Sequence, residues 1–297
     1  MRIAITGASG LIGTALSTRL ERDGHDVVPV VRRAPGDNEI GWSVDEQRID
    51  DGAFDGIDAV VHLAGAGIGD KRWTTDYKRE ILESRTVGTA LIDKAVNDAT
   101  NGPSTLLSGS AIGLYGASRT DTFDESSPAG TGFLAEVTEA WEAAAAPAST
   151  GDTRVAYLRT GIVLSAQGGA LKKQLPLFKA GLGNKLGSGE QWQSWIHIDD
   201  EVGGIVHLLT SDVAGPVNLT APNPVEQADF ADTLGKVLNR PTFLPIPSFG
   251  PKLILGAELA DNLLFSGQKV LPTVLESDGY TFTHPTLEGA LRDLLKK

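Results

Sequence analysis

MRIAITGASGLIG, residues 1–13, joins a short apolar run to a glycine-rich turn and then to an amphipathic segment. Ile3, Ala4 and Ile5 predict a fully buried strand, Thr6 to Gly10 a tight turn, and a helix from about Leu11. Gly7, Gly10 and Gly13 form GxxGxxG rather than the usual GxGxxG, but the physics is shared. Gly7 permits the turn, Gly10 lets a pyrophosphate approach the backbone, and Gly13 lets the helix lie close to the strand. Free N–H groups and the helix dipole then favour phosphate. Glycine spacing alone is a weak signal; its place between a strand and a helix, opening a βαβ unit, makes this a dinucleotide site. Gly7, Ser9, Gly10, Leu11, Ile12 and Gly13 are its candidate contacts.

Outward from this stretch, a helix is expected over Leu11–Arg22, with Leu16 and Leu20 on its apolar stripe. The second strand, Val27–Val31, delivers Arg32 and Arg33. An acid at that strand end would hold the ribose 2′-hydroxyl of NAD, whereas arginine suits the 2′-phosphate of NADP. Both arginines also fit as solvated surface side chains. Residues 34–56 are polar, a loop or short strand anchored by Trp42 and Phe54. The third strand, Asp58–Leu63, ends in small residues that let a cofactor pack on the backbone. Leu63, Ala64 and Gly65 are candidate contacts, and His62 reads as a packed strand residue. On the long helix that follows, Asp76–Val96, Ser84 and Arg85 are candidates to face the cofactor. The fourth strand runs into SGSAIGLYG, residues 108–116, which places Ser108 and Ser110 where open α/β sheets bind ligands. A loop over 117–132, a helix over 133–146 and one strand over Arg154–Leu164 complete the regular part. Arg159 on that strand is a further cofactor candidate.

The alternation of strand and helix predicts an α/β fold with a doubly wound parallel sheet. Beyond Ser165 the pattern loosens. Asp199 or Asp200 is expected to cap a helix over Glu201–Leu209, a strand follows at Gly215–Leu219, and a last helix covers Leu287–Leu295. The expected division is a Rossmann domain, 1–168 and 196–222, and a small C-terminal α/β substrate lobe, 169–195 and 223–297. Glycines and aromatic residues between 181 and 197 suggest a mobile lid or substrate wall.

The net charge of −12 disfavours sequence-independent nucleic-acid binding, which needs a basic face. With no cysteine there is no disulfide, thiolate nucleophile or Cys-ligated zinc. The five histidines are scattered without ligand spacing, so no metal site is expected. No apolar run reaches the roughly 18 residues of a membrane span, and residue 3 already lies in a strand. A cytoplasmic setting is therefore expected, with a small-molecule substrate and neither membrane nor nucleic acid as partner.

TGASGLIG (6–13), HLAGAG (62–67), SGSAIGLYG (108–116), YLRTGIVLS (157–165) and WIHIDD (195–200) together resemble the extended short-chain dehydrogenase/reductase superfamily. KRWTTDYKREILESR (71–85), GSGEQWQSWIHIDD (187–200) and LPIPSFGPKLILGAE (244–258) are similar to one atypical branch, the epimerase-like NADP-binding proteins once labelled cell-division inhibitors. The resemblance implies NADP(H) as cofactor, a lobe closing over the nicotinamide, and a homodimer through the helices flanking the serine strand. It implies that Ser110 hydrogen-bonds a substrate carbonyl. The superfamily's Tyr-x-x-x-Lys pair falls on Phe133 and Val137, which have no proton and no charge to offer. Tyr115 is the candidate replacement donor, or else a packed residue; Lys71, Lys78 and Glu125 stand in reserve. Two functions follow: an NADP(H)-dependent oxidoreductase or epimerase acting on a small or nucleotide-linked hydroxyl or carbonyl compound, or a non-catalytic NADP(H)-binding sensor. A scaffold with a vestigial site is the third reading.

Overall fold

The computed structural model describes residues 1–242 and 246–296; Leu244 and Pro245 of the 244–258 motif lie outside the described residues. The first half runs β1 (Arg2–Thr6), α1 (Leu11–Arg22), β2 (Asp26–Val31), β3 (Ile40–Ser43), β4 (Arg48–Ile49), β5 (Ala59–His62), α2 (Thr75–Asp98), β6 (Thr105–Ala111), β7 (Thr122–Phe123) and α3 (Phe133–Ala145). The second half runs β8 (Arg154–Thr160), β9 (Ile162–Leu164), α4 (Gly169–Lys179), β10 (Trp192–Gln193), β11 (Trp195–His197), α5 (Ile198–Thr210), β12 (Gly215–Leu219), β13 (Val225–Glu226) and α6 (Gln227–Leu238). It closes with α7 (Phe249–Leu255), α8 (Ala257–Leu263), β14 (Lys269–Val270), α9 (Thr273–Ser277) and α10 (Leu287–Leu295).

Eight strands form one sheet in the order β12-β8-β6-β5-β1-β2-β3-β4. Every pair is parallel except β3 with β4. The buried alternation follows from the strand's period of two. Ile3 and Ile5 join a core with Leu16 and Leu20 of α1 and Ile205 and Leu208 of α5, while Ala4 joins Ile92 and Val96 of α2 on the other face. Trp42 and Phe54 are buried anchors in that second core, where the polar 34–56 segment adds two short strands to the sheet edge. A third apolar cluster brings Leu171 and Phe178 of α4 together with Phe230 and Leu234 of α6 and Leu291 of α10. Among the described residues no helix is long and apolar enough to cross a membrane.

Two expectations change. The strand expected over Arg154–Leu164 breaks at Gly161. A side chain there would meet Ser194 O at 2.6 Å and Thr220 Cγ2 at 2.8 Å. The chain leaves the main sheet at that point, and β9 pairs in parallel with β11. The domain boundaries drawn at 168 and 196 thus cut beside and through a bonded strand pair. The cap of α5 is His197, whose Nδ1 accepts the Asp199 N–H at 3.0 Å, not Asp199 or Asp200. Asp200 is buried instead and accepts from Thr283 N (2.7 Å), His284 N (2.8 Å) and Tyr280 Oη (3.1 Å).

Candidate functional site

The chain builds β1, β2 and β3 in one direction, then returns to lay β5, β6, β8 and β12 on the other side of β1. The crevice beyond the carboxyl ends of β1 and β5 is the switch point, where such sheets bind ligands. Gly7 sits there with φ +68°, and a Cβ on it would lie 3.0 Å from the Leu63 carbonyl carbon and 3.1 Å from Ala64 N. Gly10 N donates to Gly7 O at 2.9 Å and closes the turn. A Cβ on Gly13 would lie 2.2 Å from Gly7 O, so only glycine lets α1 start this close. Ser9 and Gly10 are exposed, and Leu11 and Ile12 are half-buried. Thr14 N makes the first helical bond, to Gly10 O; no side chain caps the helix and no acid stands in its first turn. The N–H groups of Leu11, Ile12 and Gly13 therefore point, without acceptors among the described residues, into a positive helix end. This cradle fits a pyrophosphate in shape and in charge.

The end of β5 is held from behind. Thr6 Oγ1 accepts from Leu63 N (3.0 Å) and Ala64 N (3.1 Å). Its own proton is thus available to His62 Nδ1 at 2.7 Å, which leaves His62 Nε2 to donate to Thr89 Oγ1 at 3.0 Å. Burial, then the nearby Arg85 charge, pushes the His62 pKa down to about 4, so the ring is neutral. His62 is the packed residue its sequence position suggested. Ser84 Oγ accepts from Ala66 N at 3.1 Å and donates to Ile81 O, holding the 64–67 turn rather than standing free. Gly65 is exposed, and a Cβ on it would touch the Arg85 guanidinium at 3.3 Å.

The two arginines after β2 have different fates. Arg33 is tied by a two-pronged pair to Glu39, at 2.5 and 2.6 Å, and donates to Ala34 O. Arg32 is exposed and has no side-chain partner among the described residues. Of the pair, Arg32 is the free cation.

At the end of β6 the arrangement departs from the expectation. Ser108 is fully buried, and its hydroxyl has no hydrogen-bond partner among the described residues. Ser110 Oγ donates to Glu142 Oε1 at 2.5 Å. Glu142 also receives Arg159 Nε at 2.8 Å and Nη2 at 2.9 Å, while Arg159 Nη1 donates to Tyr115 Oη at 2.9 Å. Tyr115 is 2% exposed, donates to Asn218 Oδ1 at 2.7 Å and stacks on Phe123. Burial is the largest influence on its hydroxyl and raises the pKa. Arg159 and Tyr115 thus satisfy one another and Glu142 inside the protein. Both are buried, and a buried charged donor needs an internal acceptor of this kind. Glu125 belongs to the same buried network, accepting from Asn218 N and Val274 N. Glu142 is the residue that sequence reasoning missed. It sits in a helix of several glutamates, and nothing in the spacing marks it as the one that turns inward.

Phe133 and Val137 lie on the face of α3 that packs on α2, in an apolar cluster with Trp73, Tyr77 and Ile81. Lys78 Nζ lies 4.4 Å from the Phe133 ring centre and pairs with Glu258 of α8 at 2.6 Å. Lys71 pairs with Glu80. The 181–197 segment is bound at several points: Leu186 N to Gln227 Oε1, Gln191 Nε2 to Leu264 O, and Trp195 fully buried. It forms a wall against α6 and α8.

Two of the five histidines, His197 and His284, come together. His197, Asp199, His284 and Asp293 bring potential ligand atoms within 4.8 Å of one another. His197 Nδ1 is occupied by the Asp199 N–H, so a neutral ring carries its proton on Nε2, 3.3 Å from Asp293 Oδ2. Neither nitrogen of that ring then offers a free lone pair to a cation, and the cluster reads as a helix cap with a stacked neighbour, His284.

The switch-point crevice and its glycine cradle define a Rossmann-type nucleotide site. Residues 3–220 match the NAD dependent epimerase/dehydratase family, and the chain belongs to that family. Residues 246–294 match a domain of unknown function, DUF1731. An epimerase family protein of Mycobacterium tuberculosis is 43% identical over 97% of this chain and 96% of its own length. Human epimerase family protein SDR39U1 is 38% identical over 99% of this chain and 100% of its own. A crystal structure of the human protein (isoform 2) with NADPH superposes with a TM-score of 0.92 at 36% identity, covering 100% of both chains. A nucleoside-diphosphate sugar epimerase from Corynebacterium glutamicum gives 0.79 at 35% identity, over 99% of this chain and 58% of that one.

Proposed function

We propose that this chain is an NADP(H)-dependent oxidoreductase or epimerase-like enzyme acting on a hydroxyl or carbonyl substrate. The observation that carries the reading is the glycine cradle, with three acceptor-free N–H groups at the start of α1. The human relative crystallised with NADPH supports the choice of cofactor, as does Arg32, the unpaired cation where a 2′-phosphate would lie. When bound, the cofactor supplies or takes up hydride. The chain's own part is to orient the reactants. Ser110, buried at the end of β6, gives its proton to Glu142, so a substrate hydroxyl that reaches it meets an oxygen able to accept a hydrogen bond. Leu63, Ala64 and Gly65 form the backbone floor on which the dinucleotide rests.

A second reading, a non-catalytic NADP(H) sensor, draws on a specific observation: Phe133 and Val137 are packed on α2, and Tyr115 is buried and satisfied. None of the three offers a proton to a ligand.

Titration with NADPH and NADH, followed by calorimetry, tests the shared premise. Binding of NADPH much tighter than NADH is expected, and binding of neither overturns both readings. A hydroxyl and carbonyl substrate screen with the NADPH-competent protein then separates them. Turnover that Ser110→Ala reduces identifies the enzyme; tight binding with no turnover of any compound identifies the sensor.

A further inference from the structure

The glycine cradle is polar, but the surface beyond it turns apolar. Ile68, Trp73 and Phe133 are half-buried in one cluster. The Trp73 and Phe133 rings meet edge to face, with 5.0 Å between their centres. Trp73 Nε1 donates to Ile68 O at 2.8 Å, so its polar end is used up within the chain and its ring surface is what remains. This platform adjoins the end of the serine strand. A Cβ on Gly113, three residues past Ser110, would lie 3.4 Å from the Cβ of Leu134, the neighbour of Phe133.

The C-terminal helices come down on the same platform. Arg72 donates through Nε and Nη2 to Ile254 O (3.0 and 2.8 Å) and through Nη2 to Leu253 O (2.7 Å). It thereby grips the carbonyl end of α7, where a cation is favoured. Lys78, 4.4 Å from the Phe133 ring centre, pairs with Glu258 of α8 at 2.6 Å. Lys173 of α4 pairs with Asp70 at 3.7 Å and donates to Gly69 O. Yet α7 leaves its own apolar side chains uncovered. Phe249, Leu253 and Ile254 are 72, 77 and 70% exposed, three of the six large apolar side chains exposed among the described residues. On a helix of seven residues, such a patch marks a binding surface. Charge decides what it binds. Each cation that these contacts bring to the seam is already matched: Lys78 by Glu258, Lys173 by Asp70, Lys252 of α7 by Asp261 at 2.6 Å, and Arg72 by two carbonyls. A diphosphate laid along the seam would have to break one of these pairs to be held. An uncharged apolar molecule would break none.

We propose that the substrate is an uncharged, apolar hydroxyl or carbonyl compound rather than a nucleotide-linked one, held between the Trp73–Phe133 platform and the apolar side of α7. This deepens the enzyme reading above and rests on it. The test takes the protein saturated with NADP⁺ and titrates it, by calorimetry, with the methyl ketones butanone, hexanone and octanone and with UDP-glucose. Affinity should rise about fourfold for each added CH₂, and UDP-glucose should not bind. Phe249→Asp and Leu253→Asp, both at exposed positions, should each weaken octanone by at least about tenfold and leave NADPH affinity and the melting temperature unchanged. A flat ketone series, UDP-glucose binding more tightly than octanone, or either variant binding octanone as the wild type does would overturn the proposal while the cofactor reading stands. Failure to bind NADPH or NADP⁺ would instead sink the enzyme reading, and this inference with it.

Discussion

Glu201 in the first turn of α5 should make the protein less stable as pH rises, against the usual trend for carboxylates. Its side chain is fully buried. Oε1 accepts from Thr160 Oγ1 at 2.9 Å, and Oε2 has no hydrogen-bond partner among the described residues. Burial lifts its pKa from 4.5 to about 8, because the charged form would sit unsolvated. The folded pKa is above the unfolded one, so the stabilising effect of the bound proton is complete below about 4.5 and is lost as pH rises through about 8. Within that window each pH unit costs about 1.4 kcal/mol. Between pH 5.5 and 7.5 the loss is thus about 3 kcal/mol, to order of magnitude, a large share of a typical stability of about 5–15 kcal/mol. Glu201→Gln keeps the shape and the acceptor for Thr160 while removing the titration. Unfolding free energies from urea titrations at pH 5.5, 6.5 and 7.5 would be compared between wild type and variant. The difference between them should shift in the variant's favour by about 1.4 kcal/mol per pH unit. Parallel pH profiles for the two proteins would refute the reasoning, because they would show Glu201 already ionised in the fold across this range.

Gly13→Ala should lower stability by about 1–3 kcal/mol and abolish NADPH binding, since the added carbon meets backbone at the base of the cradle; thermal melts and calorimetry check both. Arg32→Ala should weaken NADPH roughly tenfold and leave NADH unchanged, by loss of one charge-assisted contact at an exposed site; equal effects on both would return Arg32 to the solvated surface. Arg159→Met should cost about 3–5 kcal/mol because it strands the Glu142 carboxylate, whereas Arg159→Met with Glu142→Leu should recover much of that loss. Denaturant midpoints of the single and double variants measure the recovery.

What could be read in advance was local. The apolar stripe and flanking glycine of α1 predicted Leu11–Arg22, and the pattern at the other end predicted Leu287–Leu295, both with their observed limits. The parallel sheet followed from alternating periodicities, and the cradle from three glycines between a strand and a helix. Each of these is decided by neighbours a few residues apart, through backbone geometry and the side-chain period. Partner choice is decided otherwise. Ser110 meets a glutamate 32 residues away, and Tyr115 meets an asparagine 103 residues away. Nothing in the chain around Tyr115 distinguishes a tyrosine that offers a proton from one whose hydroxyl is consumed by Asn218 and Arg159. Nor does a run of two aspartates after His197 reveal that the histidine makes the cap while Asp200 anchors residues 283 and 284. Arg33 and Arg32 are adjacent and chemically identical, yet only the fold brings Glu39 to one of them. The sequence by itself therefore determined where a dinucleotide could rest, because that site is built from backbone. The tertiary structure decided which charges remain free to meet it, because a buried polar group takes whatever partner packing brings within 3 Å or so.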